Sequence, residues 1–358
     1  MKKVTYLDLH VIQSMPPSCL NRDDTGSPKT AIYGGVRRAR VSSQAWKRAM
    51  RMMFRDYFDK SELGTRTLLV FGLIADEIIK LNPDISRDNA LKMARDTLEK
   101  VSIIQNSKDE NKVKALFFIG AQQAKNLAAY ALGNTASKNE QKEIEQLLND
   151  NVAVDVALFG RMVASKPLLN TDACAQVAHA ISTHRIENEY DYFTAVDDLS
   201  PEDNTGAGMV GTIEYNSATL YRYATVAAHS LYKELGGQSA ALEKAIREFT
   251  RAFINSIPTG KQNTFAAHTA PDTVMAVIRE DRPLNLAGAF ETPVRGEGLV
   301  QASALALESY AQSIYDDFCV KPAKAYIVGK HLNSLGERLS LDELLVTVGK
   351  DVTEMVMA

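Results

Sequence analysis

The sequence predicts an α+β fold, and three observations carry that prediction. The opening residues alternate apolar and polar side chains, which is the pattern of a strand. Two later stretches have the helical period, and the second of them ends at Pro258 and Gly260. Without its insertions, the chain has the order strand, helix, strand, strand, helix, strand, predicted over 4–12, 43–58, 176–186, 218–228, 239–257 and 272–280.

This order is that of the ferredoxin-like or split βαβ fold, which RNA-recognition modules share. We therefore predict a ferredoxin-like (RRM-like) core formed by residues 1–59 and 166–358. Residues 60–165 are predicted to form a helical insertion, and residues 188–216 a hairpin arm between two core strands. The helical patterns of the insertion cover 66–80, 88–104, 112–132 and 139–149. A last helix is predicted over 301–318. Such a core does not by itself establish RNA binding.

The composition is typical of a soluble globular protein, with 45% hydrophobic and 24% charged residues among 358. The apolar stretch 67–81 contains Asp76 and Glu77, so no membrane span is predicted. The N-terminal stretch carries charges among its apolar residues, which argues against a signal peptide. Three widely spaced cysteines argue against a disulfide framework and a zinc site, and they favour a reducing cytoplasm. No cofactor is predicted.

Residues 36–55 are the most informative segment, with seven basic side chains and no acidic one. The whole chain has 41 Lys and Arg against 44 Asp and Glu, so the basic block is a local feature. Such a block on a near-neutral chain indicates a focused anionic partner, such as a row of phosphates. Its first part alternates and is predicted to be a strand that presents Arg37, Arg38 and Arg40. The polar loop 13–35 leads into it and is predicted to be functional.

The helix predicted after this strand places cations in a line. Ser42 or Ser43 is the predicted N-cap, and Gln44, Lys47 and Arg51 then follow one another along one side. A helix N-terminus binds phosphate through its free N–H groups and its dipole, so both serines are predicted at an anion-binding end. The alternative is a solvated cationic face, which is the usual meaning of a charge run.

The sequence contains no recognisable catalytic constellation. Asp23 and Asp24 are adjacent carboxylates in a loop, as are Asp197 and Asp198, and such pairs are able to hold a divalent cation. Neighbouring acidic residues in loops are more often caps and turn formers, which is the interpretation we favour. The six histidines show none of the spacings typical of metal ligands. We therefore predict a protein that is not an enzyme and binds no metal.

The predicted hairpin arm carries aromatic side chains. Tyr190, Tyr192 and Phe193 precede an acidic, Gly-containing tip, and Ile213 and Tyr215 follow it. These side chains either pin the hairpin through cross-strand pairs or stack on nucleic-acid bases. The pattern of the arm alone does not decide between the two.

Several segments resemble one protein family. Within 16–51, PSCLNRDDTG and KTAIYGGVRRARVSSQAWKRAMR resemble the signature of the backbone subunit of the type I-E CRISPR Cascade complex, the CasC family. Further segments resemble the family in the same order: 159–165 (FGRMVAS), 178–199, 211–226, 235–237 and 260–278. The resemblance covers the chain except the middle of 60–150 and about the last forty residues.

The resemblance implies a hand-shaped protein, with the ferredoxin-like core as palm, the helical insertion as fingers and the arm as thumb. Copies of the family's subunit stack head-to-tail along one CRISPR RNA. Each palm holds guide phosphates, and each thumb displaces a nucleotide between the guide and the target DNA strand. The resemblance thus implies a non-catalytic subunit in antiviral defence. Its partners would be CRISPR RNA, target DNA, further copies of itself and other Cascade subunits, with no membrane.

The matching motifs also imply roles for particular residues. The guide phosphates would be held by Lys29, Ser42, Gln44, Lys47 and Arg51, with Arg22, Arg38 and Arg40 nearby. Met162 and Phe193 would pack against bases beside the displaced nucleotide, and Lys261 and Gln262 match a palm loop near the RNA. The family's fingers can carry a lysine-rich helix that contacts DNA, but 138–149 mixes lysine with glutamate here, so that contact is not expected. Some related backbone subunits of other CRISPR effector classes cleave RNA with a loop aspartate, so the first alternative is a metal-dependent ribonuclease that uses Asp23 or Asp24. A general single-strand RNA-binding protein outside CRISPR systems is the second.

Overall fold

The computed structural model describes residues 4–133, 139–163, 165–195 and 209–358. The strands in chain order are β1 (Tyr6–Ser18), β2 (Thr30–Tyr33), β3 (Val36–Val41), β4 (Gly64–Thr67), β5 (Gln105–Asn106), β6 (Asp109–Val113), β7 (Phe117–Gly120), β8 (Ala175–Val177), β9 (Ala180–Ser182), β10 (Glu189–Ala195), β11 (Met209–Ala227), β12 (Thr273–Arg279), β13 (Lys324–Gly329) and β14 (Glu337–Arg338). The helices are α1 (Ser43–Met53), α2 (Val70–Leu81), α3 (Arg87–Glu99), α4 (Ala121–Gly133), α5 (Glu140–Asn149), α6 (Val154–Phe159), α7 (Ala228–Glu234), α8 (Ser239–Asn255), α9 (Gln262–Phe265), α10 (Leu299–Asp317) and α11 (Leu341–Met357).

One large mixed sheet organises the chain, which confirms the α+β prediction. Its strand order is β14-β13-β12-β1-β11-β9-β3-β2, and β8 and β10 also pair with β11. Strand β1 lies in the middle, antiparallel to β11 and β12, with Leu9 opposite both Ala224 and Ala276. A central strand is buried on both faces, so β1 is apolar on one side and carries enclosed polar groups on the other.

Helices cover both faces of this sheet. On one face Leu7 and Leu9 pack in a core with Trp46 and Met50 of α1 and with side chains of α8 and α11. On the other face Met275 and Ile327 pack with α10 and the segment 284–290. Trp46, Met50 and Phe54 are fully buried and lie one turn apart, which is why the predicted helix near 43–58 forms and places its cations outward. Its last turn, Phe54–Asp56, is a 3₁₀ helix.

The insertion has an apolar core of its own, although its boundaries at 59/60 and 165/166 stay a prediction. This core packs α2, α3, α4 and α5 together. The insertion is less helical than predicted, because the end of β6 and all of β7 occupy the first part of 112–132, which we assigned to a helix, and the short strand β5 lies between two predicted helices. Val113, Phe117 and Ile119 are buried there, and β-branched and aromatic side chains favour strands once a core covers them.

Strands β4 and β7 join the two cores. Phe117 and Ile119 belong to the core of the insertion, whereas Phe118 between them belongs to the main core. Because successive side chains of a strand alternate, each face of this two-stranded sheet covers a different core.

The remaining differences concern the arm and the C-terminal segment. The predicted strand 176–186 is divided into β8 and β9, and the arm is the antiparallel pair of β10 with the start of β11. Residues 196–208 at its tip, with Asp197 and Asp198, lie outside the described residues. Sequence reasoning missed β13, β14 and α11, although Ser340 and Glu343 form the capping box that starts α11. No helix in the described ranges is both long and apolar enough to span a bilayer.

Candidate nucleic-acid interface

The N-terminus of α1 is capped by Ser42. Its side-chain oxygen accepts a hydrogen bond from the Ala45 amide at 3.3 Å, and its own backbone is extended, as the N-cap position requires. Ser42 is buried, whereas Ser43 and Gln44 are partly or fully exposed at the start of the helix. The structure thus places the three predicted polar residues at one helix end.

This helix end is less open than predicted. The Ser42 amide donates to the Asn21 side-chain oxygen at 2.9 Å, and the Ser43 amide donates to Nδ1 of His179 at 2.8 Å. Within the described part of the chain, only the Gln44 amide among these three keeps no acceptor. The predicted phosphate contact through free N–H groups is therefore corrected to that one amide, because side chains of the protein already satisfy the others.

His179 and Asn21 lie at this candidate interface, and sequence reasoning missed both. Since Nδ1 of His179 accepts a hydrogen bond, the neutral ring carries its proton on Nε2. Burial, and then the charges of Arg40 and Lys29, lower the pKa of His179, so both cations lie close to it. Asn21 also accepts the Lys29 amide through its carbonyl at 2.9 Å. No spacing motif marks this cluster, because it joins segments far apart along the chain.

The predicted line of cations along α1 is present, with two different environments. Lys47 is half-buried, burial lowers its pKa, and it has no acidic partner within the described ranges. Arg51 is only 17% exposed, and its Nε donates to Oδ2 of Asp155 at 3.1 Å. The Arg51 guanidinium also lies 4.3 Å from the ring centroid of Phe118. The protein therefore holds Arg51 in one orientation and leaves Lys47 uncompensated.

Asp155 joins α1 to the insertion. One of its carboxylate oxygens accepts from Arg51 and the other accepts from the Gly64 amide at 2.7 Å. The side chain is buried, and burial raises its pKa although both hydrogen bonds act in the opposite direction. This residue was also missed, because a lone aspartate in an apolar run carries no recognisable signal.

Arg38 is the clearest correction to the predicted site. Its side chain is fully buried, and its donors go to backbone carbonyl oxygens of the protein. The acceptors are Tyr33 O at 3.1 Å, Ser182 O at 3.1 Å and Phe290 O at 2.8 Å. A phosphate cannot reach a guanidinium enclosed in this way, so Arg38 is a structural residue. The prediction was wrong because the segment 290–291 covers a strand face that the sequence suggested was open.

Arg40 lies two residues further along the same face of β3 and stays partly exposed. Its Nε donates to the Thr30 carbonyl at 3.2 Å. Its amide donates to the Lys29 carbonyl at 2.9 Å, so the loop that carries Lys29 is folded back onto β3. Arg40 and Lys29 thus lie together beside the start of α1.

Arg22, Lys261 and Gln262 form a second group of predicted residues. They lie on two loops that contact each other at Leu20 and Gly260. A Cβ on Gly260 would come within 2.3 Å of the Leu20 carbonyl oxygen, so only glycine permits this approach. Arg22 and Lys261 both lower the pKa of the buried Cys19 thiol, which burial raises, so both charges lie near it. The Gln262 side-chain amide donates to the Pro258 carbonyl at 3.1 Å, and its buried side-chain oxygen has no partner in the described ranges.

Asp23 shapes the loop that carries Arg22. One oxygen of its carboxylate accepts from the Thr25 hydroxyl at 2.7 Å and from the amides of Thr25 and Ser27, each at 3.0 Å. These bonds lower the pKa of Asp23, and the Thr25 hydroxyl has the largest effect. They support the turn-forming interpretation. In the described ranges no group of three or more His, Cys, Asp or Glu side chains is arranged to hold a metal ion.

The two predicted base-packing residues lie in different surroundings. Met162 is 81% exposed, and the buried Arg161 before it anchors the segment through the carbonyls of Leu169 and Leu148, at 2.9 and 2.8 Å. Phe193 is half-buried and covers Gly211 on its own hairpin, where a Cβ would lie 2.5 Å from the ring. In the free protein Phe193 therefore pins the hairpin, and base packing stays a prediction.

Comparisons with known proteins give matches over nearly the whole chain. Residues 7–347 match the family described as CT1975-like protein. The chain belongs to this family. No protein with a curated description is similar enough to match.

Two solved structures resemble this CT1975-like chain along nearly its full length. One is a chain from a structure described as "CRISPR RNA-guided surveillance complex, pre-nicking", with 32% identity, a TM-score of 0.81, and coverage of 96% of this chain and 100% of that chain. Another, described as "CRISPR RNA-guided surveillance complex", has 30% identity, a TM-score of 0.62, and coverage of 96% and 99%.

Proposed function

We propose that this CT1975-like protein is the non-catalytic, CRISPR RNA-binding backbone subunit of a type I-E Cascade complex, the CasC type. Several copies stack head-to-tail along one guide RNA and support pairing of the guide with target DNA. Similarity at about one third identity to chains of RNA-guided surveillance complexes supports this assignment. In such a complex base pairing selects the sequence, and the protein binds the backbone and its shape.

The observation that carries the proposal is a group of cations without acidic partners. Four of its five members come from residues 22–47 and the fifth from the loop before α9, and no member forms an ion pair within the described residues. Its members are Arg22, Lys29, Arg40, Lys47 and Lys261. Positive charges that no described acid compensates, four of them partly buried, favour a row of phosphates along the loops, strand and helix that carry them.

The topology supports the hand-shaped interpretation. The strands β12, β1, β11 and β9 are neighbours in that order, with α1 and α8 on one face, as in a ferredoxin-like palm. The insertion would form the fingers, and the β10–β11 hairpin the thumb. Asp23 closes its own turn, which supports a binding role over cleavage. Target DNA, other Cascade subunits and a cytoplasmic location belong to the same proposal.

The test is assembly on guides of different length. The purified chain is mixed with CRISPR RNA of increasing length, and particle masses are measured. We expect the number of copies to rise stepwise with RNA length, because a head-to-tail interface does not have to close. A dimer or ring of fixed mass at every length would contradict the proposal. Sequencing of co-purified RNA separates a CRISPR subunit from a general RNA-binding protein, which would carry unrelated RNAs.

Phe193→Ala is expected to weaken target capture more than guide binding. Base–aromatic stacking contributes about 1–3 kcal/mol per base, and the phosphate contacts of the palm are unchanged. Affinity for target DNA is measured with single mismatches along the whole guide, and intermittent positions should become sensitive. Phe193→Leu keeps an apolar cover over Gly211 without a ring, so it separates stacking from hairpin packing. Unchanged affinity and mismatch pattern in both variants would leave Phe193 a structural residue.

A further inference from the structure

Arg66 of the insertion lies beside the cationic face of α1. In the β4–β7 pair it is directly opposite Phe118, so both side chains are on the face that covers the main core. Directly opposed side chains in an antiparallel pair have Cβ atoms on the order of 5 Å apart. The Arg51 guanidinium packs on the same Phe118 ring.

The protein fixes this arrangement through Asp155. The carboxylate binds Arg51 of α1 and, at the same time, the amide of Gly64, two residues before Arg66. Arg161 also holds β7 in place, because its buried guanidinium donates to the Phe118 carbonyl oxygen at 3.5 Å. The next residue, Met162, is exposed. The start of β4 therefore cannot shift independently of the cationic face.

The charge of Arg66 is not compensated. It is exposed, and no acidic side chain of the described residues pairs with it. Some other cations of the insertion do have acidic partners, as in the pairs Arg87–Asp76 and Lys100–Glu140. Asp155, the acidic residue at this junction, already pairs with Arg51 and so does not compensate the charge of Arg66.

We propose that Arg66 binds a phosphate of the guide RNA, which extends the contact surface from Lys47 and Arg51 onto the insertion. The inference rests on the proposed function. An arginine suits this place, because its planar guanidinium presents paired donors that match phosphate oxygens. By this inference strand β4, and not helix α5, is the part of the insertion that contacts nucleic acid.

The test is the salt dependence of RNA binding by the full chain. Affinity for a short single-stranded RNA is measured by fluorescence anisotropy over a series of salt concentrations. Arg66→Ala is expected to make the log–log slope less negative by about 0.7, the value of one phosphate contact on a single strand. Arg66→Lys should restore the slope. The control is Arg338→Ala. It removes an exposed arginine from β14, which forms the end of the large sheet opposite to β3 and β2.

The outcomes separate this inference from the proposed function. If Lys47→Ala makes the slope less negative and Arg66→Ala does not, the Arg66 inference is wrong and the proposed function stands. If neither variant changes RNA binding, the proposed function itself fails. A second measurement uses guide-loaded complex and target DNA. Should Arg66→Ala weaken only target capture, the phosphate belongs to the target strand and the guide assignment is overturned. Thermal unfolding of each variant checks that it is folded.

Discussion

Lys47→Glu is expected to weaken RNA binding more than about tenfold without changing the melting temperature. The variant removes a cation that has no acidic partner among the described residues and places a negative charge beside the proposed phosphates. Hydrogen bonds to charged groups are worth about 1.5–3 kcal/mol, and about 1.4 kcal/mol corresponds to a factor of ten. The half-buried position strengthens the effect, because a phosphate there is less screened by water and salt. Anisotropy with a short single-stranded RNA measures the loss, and thermal unfolding tests the fold.

Arg48→Glu is the matched control for this prediction. It makes the same charge change one residue further along α1, on an exposed position of a different face. It should reduce RNA binding much less than Lys47→Glu. Equal losses in both variants would mean that the net charge of the helix matters and not a contact at Lys47. Arg51→Glu is unsuitable for this purpose, because its new carboxylate would face the buried Asp155 and destabilise the protein.

Asp155→Ala is expected to lower the free energy of unfolding by about 3 kcal/mol. Removing one partner of a buried ion pair costs roughly 3–5 kcal/mol. We expect the lower end of this range, because Arg51 is still 17% exposed and water partly solvates its charge once Asp155 is removed. The Gly64 amide also loses its acceptor. Urea unfolding measures the loss. A change below about 0.5 kcal/mol, which is typical of surface substitutions, would contradict the role of Asp155 at this junction.

Asp155→Asn separates charge from hydrogen bonding at the same position. Its amide oxygen is able to accept from Gly64, so this variant should be more stable than Asp155→Ala. Burial raises the pKa of Asp155 above its unfolded value, so the native state takes up this proton more readily than the unfolded chain. The stabilising contribution of the carboxyl group is then complete below the unfolded pKa and declines as the pH rises through the raised pKa. The stability of the wild type relative to Asp155→Asn should therefore fall as the pH rises from the unfolded pKa through the raised folded pKa, and urea unfolding of both proteins over this pH range measures the change.

Local sequence was enough to predict the parts of the site that lie on one element. The spacing of Trp46, Met50 and Phe54 determines which side of α1 is buried, and the position of Lys47 on the outer side follows from it. The N-cap at Ser42 follows from side-chain chemistry next to an apolar-periodic run. Aspartate at 23 also acts within its own turn. Such features depend on residues a few positions apart, so pattern and composition reveal them.

Only the tertiary structure determines which charged side chains are exposed and able to bind a partner. Arg38 and Arg40 share a strand face and look equivalent in sequence, yet the segment 290–291 encloses the first and leaves the second partly exposed. His179 reaches the start of α1 from 136 positions away, and Asp155 reaches Arg51 from 104. The physical reason is desolvation. A buried guanidinium or carboxylate must find partners wherever the packed chain brings them, and those partners come from distant segments that no local pattern connects.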